Sequence, residues 1–120
     1  HYDGHARGRA GDRSEDALVL AGGDALTAAD VLALPRVPPA VVLNGCTTAA
    51  PEGLGLAHAF ALAGAEQVIA SLDDVPADGA AALTRALYAG APAGVLDLVA
   101  LFARAQAAAA LPALRAYERT

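Results

Sequence analysis

The stretch Ala40-Val41-Val42-Leu43-Asn44-Gly45-Cys46-Thr47-Thr48 decides the fold of this chain. Its apolar run, residues 41–43, is too short for a helix and lies between Pro38-Pro39 and Asn44-Gly45. Such a run predicts a buried strand of a parallel sheet. Cys46, the only cysteine in the sequence, follows the carboxyl end of this predicted strand. Because chemistry in open α/β sheets gathers at the carboxyl ends of the strands, Cys46 is a candidate nucleophile.

Other interpretations of Cys46 stay open at this point. Free cysteine often packs as a small hydrophobe, so Cys46 is also compatible with a purely structural role in a nucleotide-binding or other doubly wound domain. The stretch from Gly53 to His58 begins like a dinucleotide-binding fingerprint, but His58 stands where the third glycine is needed. The glycine spacing therefore does not predict a dinucleotide cofactor.

Composition argues against several classes of function. The 120 residues suit one ordinary domain, and the formal net charge of −5 argues against nucleic-acid binding, which needs a basic face. No apolar run approaches the roughly 20 residues of a membrane span, so no membrane partner is expected. Cys46 has no Cys or His at ligand spacing, and we expect neither a metal nor a cofactor. One cysteine cannot form an intramolecular disulfide, which favours a cytoplasmic location.

Local patterns predict alternating strands and helices, and hence a mainly parallel sheet with helices on its faces. Thr27 and Asp30 form a near capping box at the start of one helix, Gly64 is expected at the end of the next helix, and Asp78 is expected to cap the third. The other expected elements are strands at residues 1–5, 17–20, 40–45 and 67–72, a loop at residues 6–16, and helices at residues 54–63, at residues 78–90 and from residue 95 into the alanine run at residues 107–110. Residues 114–119 fit either a strand or a helix. Because the intervening helices permit right-handed crossovers, we predict that the strands at residues 1–5, 40–45 and 67–72 are adjacent.

A nucleophilic thiol needs a base that takes its proton, and the candidates are His1, His5 and His58. His58 lies among alanines in a predicted helix, where a solvated position is expected. His5 follows a glycine at the end of a predicted strand. If that strand is parallel to the strand before Cys46 and beside it, both side chains emerge at one edge of the sheet. His5 is therefore the candidate base, and a loop histidine without a role is the alternative.

Several segments, in the correct order and spacing, resemble the motifs of one family. The opening, residues 1–6, is similar to a strand that ends in His-Gly, and residues 17–34 are similar to a hairpin followed by an "LTAxDL" helix. AVVLNGCTT is similar to "LVVLSACET", EGLGLAHAFALAGA to "EGLxGLxRAFLxAGA", and QVIASLDDV to "SVVASLWxVDD". Together these segments resemble the CHAT domain, a caspase-like cysteine protease family of bacteria.

The resemblance implies a fold and a set of site residues. The fold is a caspase-like three-layer α/β sandwich with a mainly parallel sheet and helices on both faces. The implied catalytic dyad has Cys46 as the nucleophile and His5 as the base, with the backbone N–H groups of Cys46 and Ala6 as the oxyanion hole. Ala6 stands where the family has glycine. Gly45, Asp73 and Asp74 are candidate substrate-binding residues, since the two carboxylates could attract a basic side chain.

The implied function is a cysteine endopeptidase that cleaves a protein or peptide. The resemblance also implies a tetratricopeptide-repeat or other regulatory domain in the same longer chain. Because the sequence lacks methionine and opens abruptly on His1-Tyr2-Asp3, we expect residues 1–120 to be the C-terminal part of a single CHAT domain, with the N-terminal part of the fold absent. A catalytically inactive binding or signalling module with the same fold is the alternative.

Overall fold

Two β-sheets organise the part of the chain that the computed structural model describes, namely residues 1–9, 12–45, 48, 55–71, 76–89, 97–108 and 114–118. The strands are β1 (Tyr2–Asp3), β2 (Ala6–Arg9), β3 (Asp12–Val19), β4 (Ala25–Thr27), β5 (Ala40–Asn44), β6 (Gln67–Ser71) and β7 (Leu114–Glu118). The α-helices are α1 (Ala28–Ala33), α2 (Leu56–Ala63), α3 (Ala77–Tyr88) and α4 (Leu98–Ala108). A short 3₁₀ turn, Ala21–Gly23, connects β3 to β4.

The larger sheet has the strand order β1-β5-β6-β7. β1 pairs with β5 in parallel, β5 pairs with β6 in parallel, and β7 joins β6 in the antiparallel direction. The predicted adjacency of the first, central and following strands is confirmed. β7 resolves the ambiguity of residues 114–119, since Leu114–Glu118 is a strand.

Helices cover both faces of this sheet, as predicted. Val41 and Leu43 of β5 pack into one apolar cluster with residues of α1 and α2, whereas Val42 packs into a second cluster with residues of α3 and α4. This division follows from the alternation of side chains along a strand. Because both faces of β5 are buried, its sequence is a continuous apolar run without polar alternation.

The smaller sheet corrects one prediction. Residues 6–16 were expected to form a loop because they are rich in Gly, Arg and Asp, but β2 and most of β3 lie there. Strands β2, β3 and β4 form an antiparallel sheet, with Ala6 opposite Leu18 and Ala17 opposite Thr27. Antiparallel pairing satisfies the hydrogen-bonding groups of the backbone and tolerates polar side chains on a solvent-exposed face. The polar composition therefore indicated a loop where two strands lie.

The helix ends confirm two local predictions and correct a third. Thr27 caps α1 in a full capping box: its side chain accepts from the Asp30 N–H at 3.0 Å, and Asp30 accepts from the Thr27 N–H at 2.9 Å. Gly64 ends α2 with a φ of 117°, in the left-handed region that favours glycine. Asp78 was expected to cap α3, but the N-cap is Pro76 and Asp78 lies inside the first turn.

Candidate functional site

The carboxyl ends of β1 and β5 meet at one edge of the larger sheet. In the parallel register, Tyr2 lies opposite Leu43 and Asp3 lies opposite Asn44. Beyond the last pair, the N–H of Gly4 donates to the carbonyl of Asn44 at 3.4 Å. His5 and Gly45 thus follow neighbouring strand ends, and the pairing of His5 with Cys46 stays a prediction.

Gly45 lies directly against both chain neighbours of His5. A Cβ atom placed on Gly45 would lie 3.0 Å from the carbonyl oxygen of Gly4 and 3.6 Å from the Cβ of Ala6. The backbone at Gly45 therefore approaches the backbone around His5 as closely as a residue without a side chain permits. The next residue along the chain, Cys46, lies outside the described residues, as do Asp73 and Asp74.

The backbone of His5 is anchored while its side chain is exposed. The His5 carbonyl accepts from the N–H of Val19 at 2.9 Å and from the hydroxyl of Tyr2 at 2.7 Å. The same hydroxyl lies 2.9 Å from the Val19 carbonyl, and burial raises the pKa of Tyr2, against the opposing effect of this hydrogen bond. Gly4 makes room for the Tyr2 ring, since a Cβ there would stand 2.7 Å from the hydroxyl oxygen.

Thr48 connects the end of β5 to two other elements. Its side chain is almost fully buried, at 1% exposure. The hydroxyl lies 3.1 Å from the carbonyl of Leu43 and 3.2 Å from that of Gly45, and it accepts from the N–H of Ser71 at 3.0 Å. The Thr48 carbonyl accepts from the N–H of Ala57 in α2 at 3.1 Å. Strands β5 and β6 and helix α2 are thus joined through one residue.

Asn44 begins a chain of polar contacts that sequence reasoning did not identify. Its Nδ2 donates to Asp3 Oδ1 at 2.6 Å and to the carbonyl of Ala80 in α3 at 3.1 Å. The other Asp3 oxygen lies 2.9 Å from His1 Nε2, and His1 Nδ1 lies 2.8 Å from the Tyr88 hydroxyl. Burial, followed by the negative charge of Asp3, raises the pKa of Tyr88. His1 is thereby engaged with Asp3 and Tyr88.

The comparison with known families gives a match over nearly the whole chain. The model of the CHAT domain family matches residues 1–116 of the chain. This chain belongs to the CHAT domain family. The family is related to the caspase-like proteases, and the parallel sheet with helices on both faces fits that fold. None of the curated proteins compared with the chain matches it.

His58 of this CHAT domain does not occupy the solvated position that was expected. Its ring is half-buried on α2 and packs edge-on against Tyr117 of β7, with ring centroids 5.3 Å apart. Its Nδ1 atom is buried and has no hydrogen-bond partner among the residues that the structure describes. β7 lies at the far side of the larger sheet from β1, so His58 is separated from the strand ends that carry the candidate site. Tyr117 lies too far along the sequence for local patterns to reveal this contact.

Within the described part of the CHAT domain, no group of three or more His, Cys, Asp or Glu side chains could hold a metal ion. None of the described helices is long and apolar enough to cross a membrane. The described groups near the carboxyl edge of β1 and β5 include the exposed imidazole of His5, the carboxylate of Asp3 and the closely approaching backbone of Gly4 and Gly45.

Proposed function

We propose that this CHAT domain is a cysteine endopeptidase of caspase type that cleaves a protein or peptide. Cys46 is the nucleophile and His5 is the general base. The observation that carries the proposal is the contact of Gly45 with both Gly4 and Ala6. Consecutive Cα atoms are about 3.8 Å apart, so the close approach of Gly45 supports the proposal that Cys46, the next residue, lies near His5. Membership of a family related to caspase-like proteases supports the assignment.

In the proposed reaction, the imidazole of His5 accepts the proton of the Cys46 thiol, and the thiolate attacks the scissile carbonyl carbon. The carbon–sulfur bond forms as the carbonyl electrons move onto oxygen. The tetrahedral intermediate collapses, the carbon–nitrogen bond breaks, and protonated His5 gives its proton to the leaving amine. Water then attacks the thioester, with His5 again taking the proton, and the carboxylic acid and free thiol are released.

The backbone N–H groups of Cys46 and Ala6 form the proposed oxyanion hole. The His5 carbonyl accepts from the Val19 N–H, and Ala6 lies opposite Leu18. Since hydrogen-bonded and non-hydrogen-bonded pairs alternate in antiparallel sheets, the pair Ala6 and Leu18 is of the second kind. The Ala6 N–H in such a pair points away from β3, which leaves it available for a developing oxyanion.

The substrate we propose is a polypeptide, bound beside Gly45. Asp73 and Asp74 are proposed to attract a basic side chain of that polypeptide. A tetratricopeptide-repeat or other regulatory domain in the same longer chain would present or withhold the substrate. The proposed chemistry uses a thiol, an imidazole and backbone N–H groups, and it requires no cofactor.

One observation favours a second candidate, a catalytically inactive binding or signalling module. The methyl group of Ala6 lies on the Gly45 side of the His5 segment, at a position where the family has glycine. This methyl group narrows the space beside the proposed oxyanion hole. Ala6→Gly separates the two candidates, because it should raise the cleavage rate of a peptidase and give no activity to a binding module.

The test measures alkylation of Cys46 by iodoacetamide across pH, followed by mass spectrometry of the peptide that contains it, together with cleavage of a peptide library. The intact protein is used. If His5 lies beside Cys46, the thiol pKa falls below the free value of about 8.5. Cys46→Ala should abolish cleavage, and His5→Ala should lower the rate by about 10²–10⁴-fold. His58→Ala is the matched histidine control and should leave the cleavage rate unchanged.

Two results would contradict the peptidase. The first is alkylation of Cys46 no faster than that of a free thiol in both the wild type and the His5→Ala variant. The second is an absence of cleavage products from the peptide library with the wild type and with Ala6→Gly. Together they would leave the binding module as the better description of this CHAT domain.

A further inference from the structure

Thr48 closes the short segment that contains Cys46. The Thr48 hydroxyl lies 3.2 Å from the carbonyl of Gly45, so the two ends of the four-residue segment 45–48 are joined by a side chain. Cys46 and Thr47 are the two residues between those ends. The hydroxyl also lies 3.1 Å from the carbonyl of Leu43, inside β5. The segment is thereby tied back to the strand that precedes it.

The same residue also fixes this segment relative to the rest of the fold. The Ser71 N–H, at the end of β6, donates to the Thr48 hydroxyl, and the Ala57 N–H, at the start of α2, donates to the Thr48 carbonyl. Thr48 is 1% exposed, so these contacts are shielded from water. Hydrogen bonds in such an environment are costly to leave unmade.

We propose that Thr48 is a positioning residue, which holds the two ends of the segment 45–48 so that Cys46 lies beside His5. This inference rests on the proposed function, since it concerns the same cysteine and histidine. The path runs from Thr48 to the carbonyl of Gly45 and from Gly45 to the backbone on both sides of His5. In this proposal Thr48 acts through this path and not by contact with the substrate or the reacting atoms.

The side-chain chemistry of threonine suits this role. A hydroxyl donates one proton and accepts through its oxygen, so one group donates to, or shares its proton between, the carbonyls of Leu43 and Gly45 while it accepts from the Ser71 N–H. The Thr48 methyl carbon lies 3.5 Å from the place where a Cβ of Gly45 would stand. Valine has nearly the same shape without the hydroxyl, whereas serine keeps the hydroxyl and loses the methyl group. The pair Thr48→Val and Thr48→Ser therefore separates hydrogen bonding from packing.

The experiment measures the rate of Cys46 alkylation by iodoacetamide as a function of pH. It compares the wild type, Thr48→Val, Thr48→Ser, His5→Ala and the double variant Thr48→Val/His5→Ala of the intact protein. Displacement of a reacting group by about 1 Å can cost 10²-fold, so we expect Thr48→Val to lose about 10- to 100-fold in rate near neutral pH. Its thiol pKa should move up towards the free value. Thr48→Ser should stay within about threefold of the wild type, because the hydroxyl decides the position of the turn.

The double variant distinguishes positioning from a general structural role. If Thr48 acts by holding Cys46 beside His5, Thr48→Val adds little once His5 is gone, and the two losses are strongly non-additive. The proposal is overturned if Thr48→Val alkylates like the wild type, or if its loss is the same with and without His5. If Thr48→Val does not fold, a large loss in Thr48→Ser, with an unchanged melting temperature, overturns it as well.

The arm with His5→Ala alone separates this inference from the proposed function. An unchanged alkylation rate in His5→Ala would refute the dyad, and with it the positioning role of Thr48. A large loss in His5→Ala beside a wild-type rate in Thr48→Val would refute the positioning role and leave the dyad standing.

Discussion

The two strand ends that form the candidate site are held in different ways. On the cysteine side, Asn44 and Thr48 are 3% and 1% exposed, and their side chains make the hydrogen bonds that fix the end of β5. On the histidine side, His5 is exposed, and its main-chain carbonyl is the group that Val19 and Tyr2 hold. The cysteine side is therefore a buried side-chain network, and the histidine side is an anchored backbone with an exposed imidazole.

This difference suits the roles that we propose for the two residues. A nucleophile must be fixed relative to the carbonyl that it attacks, because small displacements are costly. A general base must take a proton from one group and give it to another, which a solvent-exposed ring on a fixed backbone can do. We accordingly expect substitutions of side chains on the cysteine side to cost both stability and activity, and those on the histidine side to cost mainly activity.

The largest expected effect comes from a charge inside the cysteine-side network. Asn44→Asp removes the donor that serves Asp3 and Ala80 and places a second carboxylate where the amide lay 2.6 Å from Asp3 Oδ1. A buried charge without a partner costs about 3–5 kcal/mol, so the free energy of unfolding should fall by an amount of this order. Urea denaturation of the intact protein measures it.

The control is a double variant that restores a hydrogen-bond donor between positions 3 and 44, this time on residue 3. Adding Asp3→Asn to Asn44→Asp returns an amide facing a carboxylate and should recover part of the lost stability. The single variant Asp3→Asn should cost less than Asn44→Asp, because Asp3 is exposed. Equal stability of Asn44→Asp and the wild type would show that the network contributes nothing to this side of the site.

The second prediction breaks the contact between the two sides. Gly45→Ala places a methyl group 3.0 Å from the Gly4 carbonyl oxygen, and that main-chain atom cannot swing aside. Overpacking of this kind costs about 1–3 kcal/mol and should push the histidine segment away from the cysteine turn. Cys46 alkylation near neutral pH should slow accordingly.

Gly79→Ala is the matched control for this substitution. A Cβ at Gly79, in the first turn of α3, would meet Pro76 at 3.8 Å, which is an ordinary contact. Alanine is favoured over glycine in helices by about 0.5–1 kcal/mol, so this variant should be slightly more stable and should alkylate normally. A Gly45→Ala variant that behaves like Gly79→Ala would contradict the close approach at the site.

The sequence revealed the strands of the site better than the residues that hold them. The run Val41 to Leu43 between prolines and Asn44-Gly45 identifies β5, because a strand buried on both faces must be apolar throughout. Thr27 and Asp30 identify the start of α1, since a capping box is local. Both features depend on residues that are near one another in the chain.

The missed features depend on distant residues or on weak local signals. Thr48 acquires its role from Ser71, and Asn44 from Asp3 and Ala80, all of them more than 20 positions away. No periodicity in one sequence reports such pairs. β2 and most of β3 were missed because Gly, Arg and Asp are typical of loops, while backbone pairing with β4 decides their structure.

The third prediction sharpens the description of the histidine side. Tyr2→Phe removes the hydroxyl that lies 2.7 Å from the His5 carbonyl, whereas the Val19 N–H still serves that carbonyl. One hydrogen bond of this kind contributes about 1 kcal/mol, so the free energy of unfolding should fall by about that amount. The rate of Cys46 alkylation should fall by a few-fold. Urea denaturation measures the first effect, and the rate of Cys46 alkylation by iodoacetamide near neutral pH measures the second.

Tyr88→Phe is the matched control, because it removes a hydroxyl that lies 2.8 Å from the ring of a different histidine, His1. We expect this variant to leave the alkylation rate of Cys46 unchanged. A loss of rate in Tyr88→Phe as large as in Tyr2→Phe would mean that anchoring of the His5 backbone is not what Tyr2 contributes.

The smallest expected effect concerns the acid sensitivity of the histidine side. β4 ends at Thr27, which is also the cap of α1, and β4 pairs with β3, the strand that holds the His5 carbonyl. Hydrogen bonds from the Thr27 N–H and then from its side chain lower the pKa of Asp30 below the ordinary value of 3.8. A carboxylate with a lowered folded-state pKa stabilises the fold above its ordinary pKa, and this contribution is lost as the pH falls through the folded-state value.

Asp30→Asn should therefore lower the melting temperature slightly at pH 6, and the gap to the wild type should close as the pH falls below about 3.8. Asp24→Asn, an exposed aspartate in the turn before β4, controls for the loss of one negative charge. Because the capping box belongs to the histidine side, hydrogen exchange in Asp30→Asn should increase at β4 and α1 and stay unchanged at β5 and β6. The prediction is wrong if the difference in melting temperature between Asp30→Asn and the wild type does not change with pH. Increased hydrogen exchange at β5 would also contradict the view that the two sides of the site are stabilised separately.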